Sequence, residues 1–291
     1  MPSTREIRQR IKSVNNIAKI TNAMQLIAAS KMRVAQRRVL ASREYAHSLL
    51  EISGRLARSL EDDVKNQFPL LAERSGGKSL IVLITPNRGL AGALVGNILR
   101  VALQEIKNRG DKRTELVALG RKGERFAVRS HWELGSSFEL GDAPAAGDVQ
   151  SVAEYLMRKF NSQEVDEVSL VYANFVNTAV QKPGAMRLLP VSLPAESSAD
   201  ERDINADALY EPNIHSLLGT LLPRYVATEL YQAVLEAVAS EHSARMVAMR
   251  NATDNAQQLN GELTLEYNKA RQEYITSELL DIVGGAVALA A

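Results

Sequence analysis

Gly76-Gly77-Lys78-Ser79 is the stretch of this chain that most nearly has the form of a phosphate-binding loop. In such a loop backbone N–H groups cradle the phosphates, a lysine neutralises them and a hydroxyl reaches the metal. The pattern needs a further glycine where this sequence has Ala72, and it needs the loop to follow a strand and open a helix. Here the Lys-Ser pair comes before the apolar run 79–85 (SLIVLIT). A second glycine-rich turn, Arg88-Gly-Leu-Ala-Gly-Ala-Leu-Val-Gly, follows that run, where a dinucleotide fingerprint would stand. Gly89, Gly92 and Gly96 are spaced three and four apart instead of G-x-G-x-x-G, a spacing that suits a tight turn and close helix–sheet packing. His47, His131, His215 and His242 stand singly, with no H-x-x-x-H pair and no clustered carboxylates to hold a metal. The absence of cysteine excludes thiolate ligands, thiol nucleophiles and disulfides. No catalytic constellation emerges and no cofactor is expected. An α/β nucleotide-binding enzyme with helical arms stays open as an alternative.

Charge raises a different possibility. Residues 1–60 hold 12 Lys/Arg against 3 Glu, a net +9, whereas residues 213–291 hold 5 Lys/Arg against 9 Asp/Glu, a net −4. Arg5, Arg8, Arg10, Lys12 and Lys19 could neutralise phosphates, which keeps a basic coiled-coil nucleic-acid binder open as a second alternative. Stacking aromatics are absent before Tyr45, however, and the charges share their helix with an apolar seam. A basic face of this kind suits an acidic protein partner equally well.

These residues lie on segments of unusual continuity. From Thr4 to Leu60 there is no proline and one glycine, Gly54; from Arg224 to Ile282 there is no proline and one glycine, Gly261. Unbroken helices of that length would be on the order of 80–90 Å long, far beyond the usual globular helix. In the first, Ile7, Ile11, Val14, Ile17, Ile20, Met24 and Ile27 recur at steps of three and four, continued by Ala28, Met32, Ala35, Val39, Ala46, Leu49, Ser53, Leu56 and Leu60. In the second, the recurring residues are Leu230, Val234, Ala237, Ala244, Ala248, Ala252, Ala256, Leu259 and Leu263. Together they read as a long antiparallel two-helix coiled coil built from the two ends of the chain. The bland alternative is a helical bundle with hidden breaks.

The middle of the chain reads as a separate α/β domain. Strands are expected at 79–85, 115–119 and 165–175, with a possible edge strand at 185–191, and helices at 90–108 and 149–160. Alternating strand and helix implies a mostly parallel, Rossmann-like sheet. Residues 193–212, rich in Pro, Ser, Asp and Glu, read as an exposed linker. The expected organisation is thus 1–60 and 210–291 paired as one rod, with 75–195 as the central domain. No run reaches the roughly 18 apolar residues a membrane span needs. The opening MPSTREIRQR carries no apolar signal core, so any membrane association is expected to come through partners.

The ends of the chain also carry a resemblance. Arg5-Glu-Ile-Arg-Gln-Arg-Ile-Lys12 and Ile20-Thr-Asn-Ala-Met24-Gln-Leu-Ile-Ala-Ala-Ser-Lys31-Met32 resemble the opening signature of the gamma subunits of F-type ATP synthases. Ala244-Arg-Met-Val-Ala-Met-Arg-Asn-Ala-Thr-Asp-Asn-Ala256 and the stretch from Glu262 through Tyr267, Arg271-Gln272 and Thr276 to Gly285 are similar to the same family, as is Ile84-Thr-Pro-Asn-Arg-Gly-Leu-Ala-Gly92 in the middle. The resemblance covers essentially the whole chain. It implies a non-catalytic central rotor shaft that transmits torque between a membrane ring of c subunits and a hexamer of alpha and beta subunits, coupling proton flow to ATP synthesis. Implied partners are alpha, beta, epsilon and the c ring, with no nucleic acid; the implied location is peripheral, on the cytoplasmic face of a bacterial plasma membrane. By the family pattern, Met24 lies beside contacts with beta, and Arg271, Gln272 and Thr276 form a polar catch against beta. Arg8, Arg10 and Lys12 would meet acidic segments of beta; the alternative for each of these positions is a coiled-coil seam or a solvated face. Asn22 departs from the family, where lysine is common at that position, and without cysteine no thiol switch is possible.

Overall fold

A computed structural model describes residues 3–58, 67–74, 76–109, 113–192, 211 and 213–290, with side chains described as far as Val283. The 193–212 linker (all but Glu211) and Leu60 of the first seam lie outside the described side chains. The chain divides into two compact units, one formed by Met1–Ala29 with Arg245–Ala291 and the other by Ser30–Ala244.

The Ser30–Ala244 unit is built on a five-stranded sheet. Its strands are β1 (Lys78–Ile84), β2 (Arg113–Leu119), β3 (Leu134–Phe138), β4 (Glu167–Phe175) and β5 (Gln181–Leu189), in the order β3-β2-β1-β4-β5. The first four are mutually parallel and β5 closes one edge antiparallel to β4. The continuous apolar run of β1 is buried on both faces, as a central parallel strand should be. Leu80, Val82 and Ile84 point to one side, where α4 (Ala146–Asn161) supplies Val149, Val152, Leu156 and Phe160. Ile81 and Leu83 point to the other, against Ile98, Ala102 and Ile106 of α2 (Leu94–Asn108) and Ala127 of α3 (Arg121–Arg129). The first core also takes in Leu56 and Ala57 of the long helix α1 (Thr4–Arg58), and Leu218, Leu222, Val226 and Leu230 of the still longer α5 (Ile214–Ala290).

Two elements, α3 and β3, escape a reading of the sequence. Five of the nine residues of α3 (RKGERFAVR) are charged, and β3 (LGSSF) lacks β-branched residues altogether. Tertiary contacts shape β3 at least: a Cβ on Gly135 would lie 1.5 Å from Glu115 Oε1, so a larger residue there would push aside the carboxylate that pairs with Lys159. The second long helix also begins ten residues before its proline-free stretch and carries Pro223 inside it. An internal proline costs a helix about 3 kcal/mol by removing one hydrogen bond and crowding the carbonyl four residues back. That carbonyl belongs to Gly219, and Leu218, Leu222, Val226 and Leu230 around it are all at most 1% exposed, so core burial outweighs the penalty. At its other end the chain enters α1 through a capping box. Ser3 N–H donates to Glu6 Oε2 at 3.1 Å, and Glu6 N–H donates to Ser3 Oγ at 3.3 Å.

Candidate partner interface

Every residue singled out for partner contact lies in the Met1–Ala29/Arg245–Ala291 unit, where α1 and α5 run against each other. Arg8 meets Tyr267 and Thr21 meets Thr253; the partner's number falls as the first rises, so the helices are antiparallel. On α1 the partly or fully buried positions include Ile7, Ile11, Val14, Ala18, Thr21, Gln25, Ala28, Met32, Ala35 and Val39, an unbroken alternation of four and three. On α5 the matching line is Met249, Thr253, Ala256, Asn260, Leu263, Tyr267 and Ala270.

The seam read from the sequence holds at Ile7, Ile11 and Val14 and again from Ala28 to Leu56, but it is corrected in between. Ile17, Ile20 and Ile27 are 51%, 59% and 57% exposed, and Leu259 of the second helix is 45% exposed. The inward strip beside them is made of Ala18, Thr21 and Gln25, residues too small or polar to register as apolar signals. Both strips have the same period and lie one residue apart, so periodicity alone could not choose between them. At these positions burial went to the smaller or more polar residues, and Thr21 meets Thr253 across the pair. The larger residues are left facing outward, with Leu26 at 63%, Leu265 at 73%, Tyr274 at 64%, Leu279 at 57% and Leu280 at 67% exposure. Isolated apolar surface residues are ordinary, but repeated ones along two helices mark an interaction surface.

The individual candidates fall into four positions. Arg8 is held within its own unit: its Nη2 donates to Tyr267 Oη at 2.6 Å, and its guanidinium lies 5.5 Å from that ring's centroid. Lys12 is exposed, and Arg10 lines a shallow groove with Gln9, Ser13, Val14, Leu259 and Leu263. Met24 is half-buried at the margin of the inward strip. Arg271, Gln272 and Thr276 are exposed on α5; Thr276 Oγ1 donates to its own helix at Gln272 O, 2.9 Å away, which leaves the hydroxyl oxygen able to accept. Tyr267 stands one turn before Arg271, so Arg8 docks close to that polar group, while Arg10 and Lys12 have no described bond to it. Thr21, Thr253 and Tyr267 were not singled out from the sequence; their signal is a polar residue at a heptad position, visible once the inward strip is known.

The glycine-rich loops of the sheet unit form no nucleotide site. Lys78 N–H donates to Asp166 Oδ2 at 3.0 Å, and a Cβ on Gly76 would lie 2.7 Å from that same oxygen. Gly76-Gly77 therefore brings the backbone against a carboxylate, the reverse of a phosphate cradle. After β1, Asn87 Nδ2 donates to Leu140 O at 2.8 Å and its Oδ1 accepts from Arg121 N–H at 3.1 Å. Thr85 Oγ1 accepts from Gly123 N–H at 2.8 Å. These side chains fill the ends of β1 and β2 and leave a cavity of about 40 Å³, against the several hundred a nucleotide requires. Of the three glycines there, Gly92 alone has a positive φ, +57°, and a Cβ on Gly96 would meet nothing within 4 Å, so the close packing expected there is absent. Nearby, Lys31 Nζ pairs with Asp142 Oδ2 at 2.5 Å, and this hydrogen bond holds the Asp142 carboxyl below its ordinary range. Among the described residues no group of His, Asp and Glu is arranged to hold a metal, and no helix is long and apolar enough to cross a membrane.

The geometry is thus an α/β sheet unit and a pair of antiparallel helices whose outward side carries repeated apolar side chains. Residues 3–289 match the sequence family described as ATP synthase. Among curated relatives, the ATP synthase gamma chain of Roseiflexus castenholzii is 50% identical over 293 residues, covering 100% of this chain and 99% of the relative. That of Dehalococcoides mccartyi strain 195 is 48% identical over 296 residues, covering 100% of both. The chain belongs to the ATP synthase gamma-chain family. Its fold matches a chain in the cryo-EM structure of the Euglena gracilis mitochondrial ATP synthase (OSCP/F1/c-ring, rotational state 3) with a TM-score of 0.68, at 21% identity, over 98% of this chain and 94% of the other. A chain of the Tetrahymena thermophila mitochondrial ATP synthase central stalk and c-ring matches with a TM-score of 0.61, at 24% identity, over 80% of this chain and 99% of the other.

Proposed function

We propose that this chain is the central rotor shaft of an F-type ATP synthase. It transmits torque between the membrane c ring and the catalytic alpha/beta hexamer and couples proton flow to ATP synthesis without itself making or breaking a bond. Its partners are the alpha and beta subunits, epsilon and the c ring, and it sits peripherally on the cytoplasmic face of a bacterial plasma membrane. The observation that carries this reading is full-length identity of about half to ATP synthase gamma chains. The burial pattern supports the mechanical part. A period of 3.5 residues on both helices favours a left-handed antiparallel coiled coil, and two wound helices resist bending and twisting better than one. The organisation that follows is a rod of residues 1–60 and 210–291 with a Rossmann-like domain at 75–195.

A shaft that turns against its bearing needs apolar, non-directional contact along its length and a few polar contacts where torque is transferred. The exposed Ile17, Ile20, Leu279 and Leu280 suit the first need. Arg271, Gln272 and Thr276 suit the second, with Arg8, Arg10 and Lys12 steering acidic segments of beta and Met24 beside them. Co-expression with alpha and beta subunits tests the reading. The expected result is a complex with one copy of this chain per three alpha–beta pairs, and ATPase activity that falls when residues 1–12 and 271–291 are removed. Failure to co-purify in well-folded preparations would overturn it.

A further inference from the structure

We propose that Thr253 and Tyr267 pin the axial register of the two helices, and that this register keeps Arg271, Gln272 and Thr276 at a fixed height along α1. The need for pins follows from the inward strip. Apolar contact is non-directional, and between Val14 and Ala28 the strip of α1 holds only Ala18, Thr21 and Gln25, which offer no bulky apolar knob to resist sliding there. A polar residue in such a strip sets register because any other alignment leaves it without its partner.

The geometry supplies two such residues. Thr21 Oγ1 and Thr253 Oγ1 lie 2.7 Å apart, with Thr253 only 6% exposed. Thr253 Oγ1 is also 2.9 Å from Met249 O, and Thr21 Oγ1 is 3.0 Å from Ile17 O and 3.1 Å from Ala18 O. Each hydroxyl has one proton, so whichever threonine donates across the interface accepts nothing there and the other donates to its own helix. The pair is satisfied in this alignment without water. The Arg8–Tyr267 contact is the second pin. It lies thirteen residues along α1 from Thr21, or about 20 Å at helical rise, and it combines a hydrogen bond with a cation–π contact to one ring. Since Tyr267 is one turn from Arg271, a slip there displaces the polar group that meets beta.

The structural half of this proposal stands on the helix pair alone, whereas the effect on coupling rests on the rotor reading. The chain contains no cysteine, so Lys19→Cys with Glu273→Cys, both exposed and well offset along the helices, takes spin labels at two chosen sites. Pulsed dipolar distances on the full chain should show one population. Thr253→Val with Tyr267→Phe, which keeps shape and removes both hydroxyls, should add a second population displaced by about 5 Å, one helical turn. Each lost hydrogen bond should raise the slipped fraction about fivefold. Thr253→Ser should behave as the unaltered chain. In the reconstituted complex, protons pumped per ATP hydrolysed should fall with the slipped fraction, a change that simple loss of stability would not produce. A single unshifted population in the double variant, with helix content intact, overturns the pins. A shifted population with an unchanged pumping ratio overturns their part in coupling. Failure of the unaltered chain to assemble counts against the rotor reading and leaves the distance result standing.

Discussion

The helix α5 passes through two environments, and its side chains record the change. Between Leu218 and Ser243 it is covered on several sides: Leu218, Val226, Leu230, Ala239, Ser240 and Ser243 are fully buried. From Met249 onward burial shrinks to one line, Met249, Thr253, Ala256 and Leu263, and residues 271–283 are exposed throughout. The apolar character of the sequence does not fall in step, since Leu265, Tyr274, Ile275, Leu279, Leu280, Ile282 and Val283 all belong to the second part and all face outward. In the sheet unit apolar residues hold the fold together. In the helix pair one thin strip does so, in which Ala18, Thr21 and Gln25 stand in line with Ile7, Ile11 and Leu263, while many large apolar residues face outward.

That contrast can be broken most forcefully in the sheet unit. Phe160, fully buried between α4 and the sheet, should cost about 3–5 kcal/mol on substitution by alanine, seen as a lower midpoint in denaturant unfolding. Ile7→Ala removes a residue that is 1% exposed but belongs to a two-helix contact with less around it. Its cost should be about 2 kcal/mol, the lower end for such truncations, read as earlier loss of helix signal on heating.

A smaller effect tests the polar part of the sheet unit. Burial, reinforced by the nearby Glu236 charge, raises the carboxyl pKa of Glu229 above its ordinary value of 4.5. The folded state thus favours the protonated acid. Its stabilisation is complete below 4.5 and is lost as pH rises through the elevated value. Glu229→Gln should therefore gain stability relative to the unaltered chain as pH rises through that window, and the gain should level off above it. A difference between the two stability-versus-pH curves that is flat across the window would refute this.

The smallest expected change sharpens the comparison from the other side. Ile20→Ala, at a position 59% exposed, should alter the stability of the isolated chain by no more than about 0.5 kcal/mol. The same change should speed dissociation from the alpha–beta hexamer, measured by competition with unlabelled chain. A large stability loss with unchanged dissociation would mean that Ile20 belongs to the fold instead of to the interface.

Much of the fold was legible in the residues. The run 79–85 announced a buried central strand because parallel strands covered on both faces need no polar alternation. The strands at 115–119 and 165–175 and the helices at 90–108 and 149–160 were found to within a few residues of their observed limits. The polar α3 and the glycine- and serine-containing β3 were not legible, because they are held by neighbours and not by their own propensity. The proline-free ends of the chain announced long helices, and α5 runs through Pro223 as well, where burial of the flanking leucines overrides the proline. At the interface, the charged and polar candidates were named from resemblance, whereas Tyr267, Thr21 and Thr253 became visible only through their contacts.

By itself the sequence determined that this chain forms two very long helices, that an α/β sheet stands between them in sequence, and that it has no thiol chemistry. It did so through local rules: uninterrupted helix propensity, continuous apolar β-branched runs, and the absence of cysteine. The tertiary structure decided which of two neighbouring strips on α1 turns inward. Both repeat with the same period, so the choice lies with what each meets across the interface. The inward placing of Ala18 and Ala28, and the hydrogen bond between Thr21 and Thr253, leave Ile17, Ile20 and Ile27 facing outward.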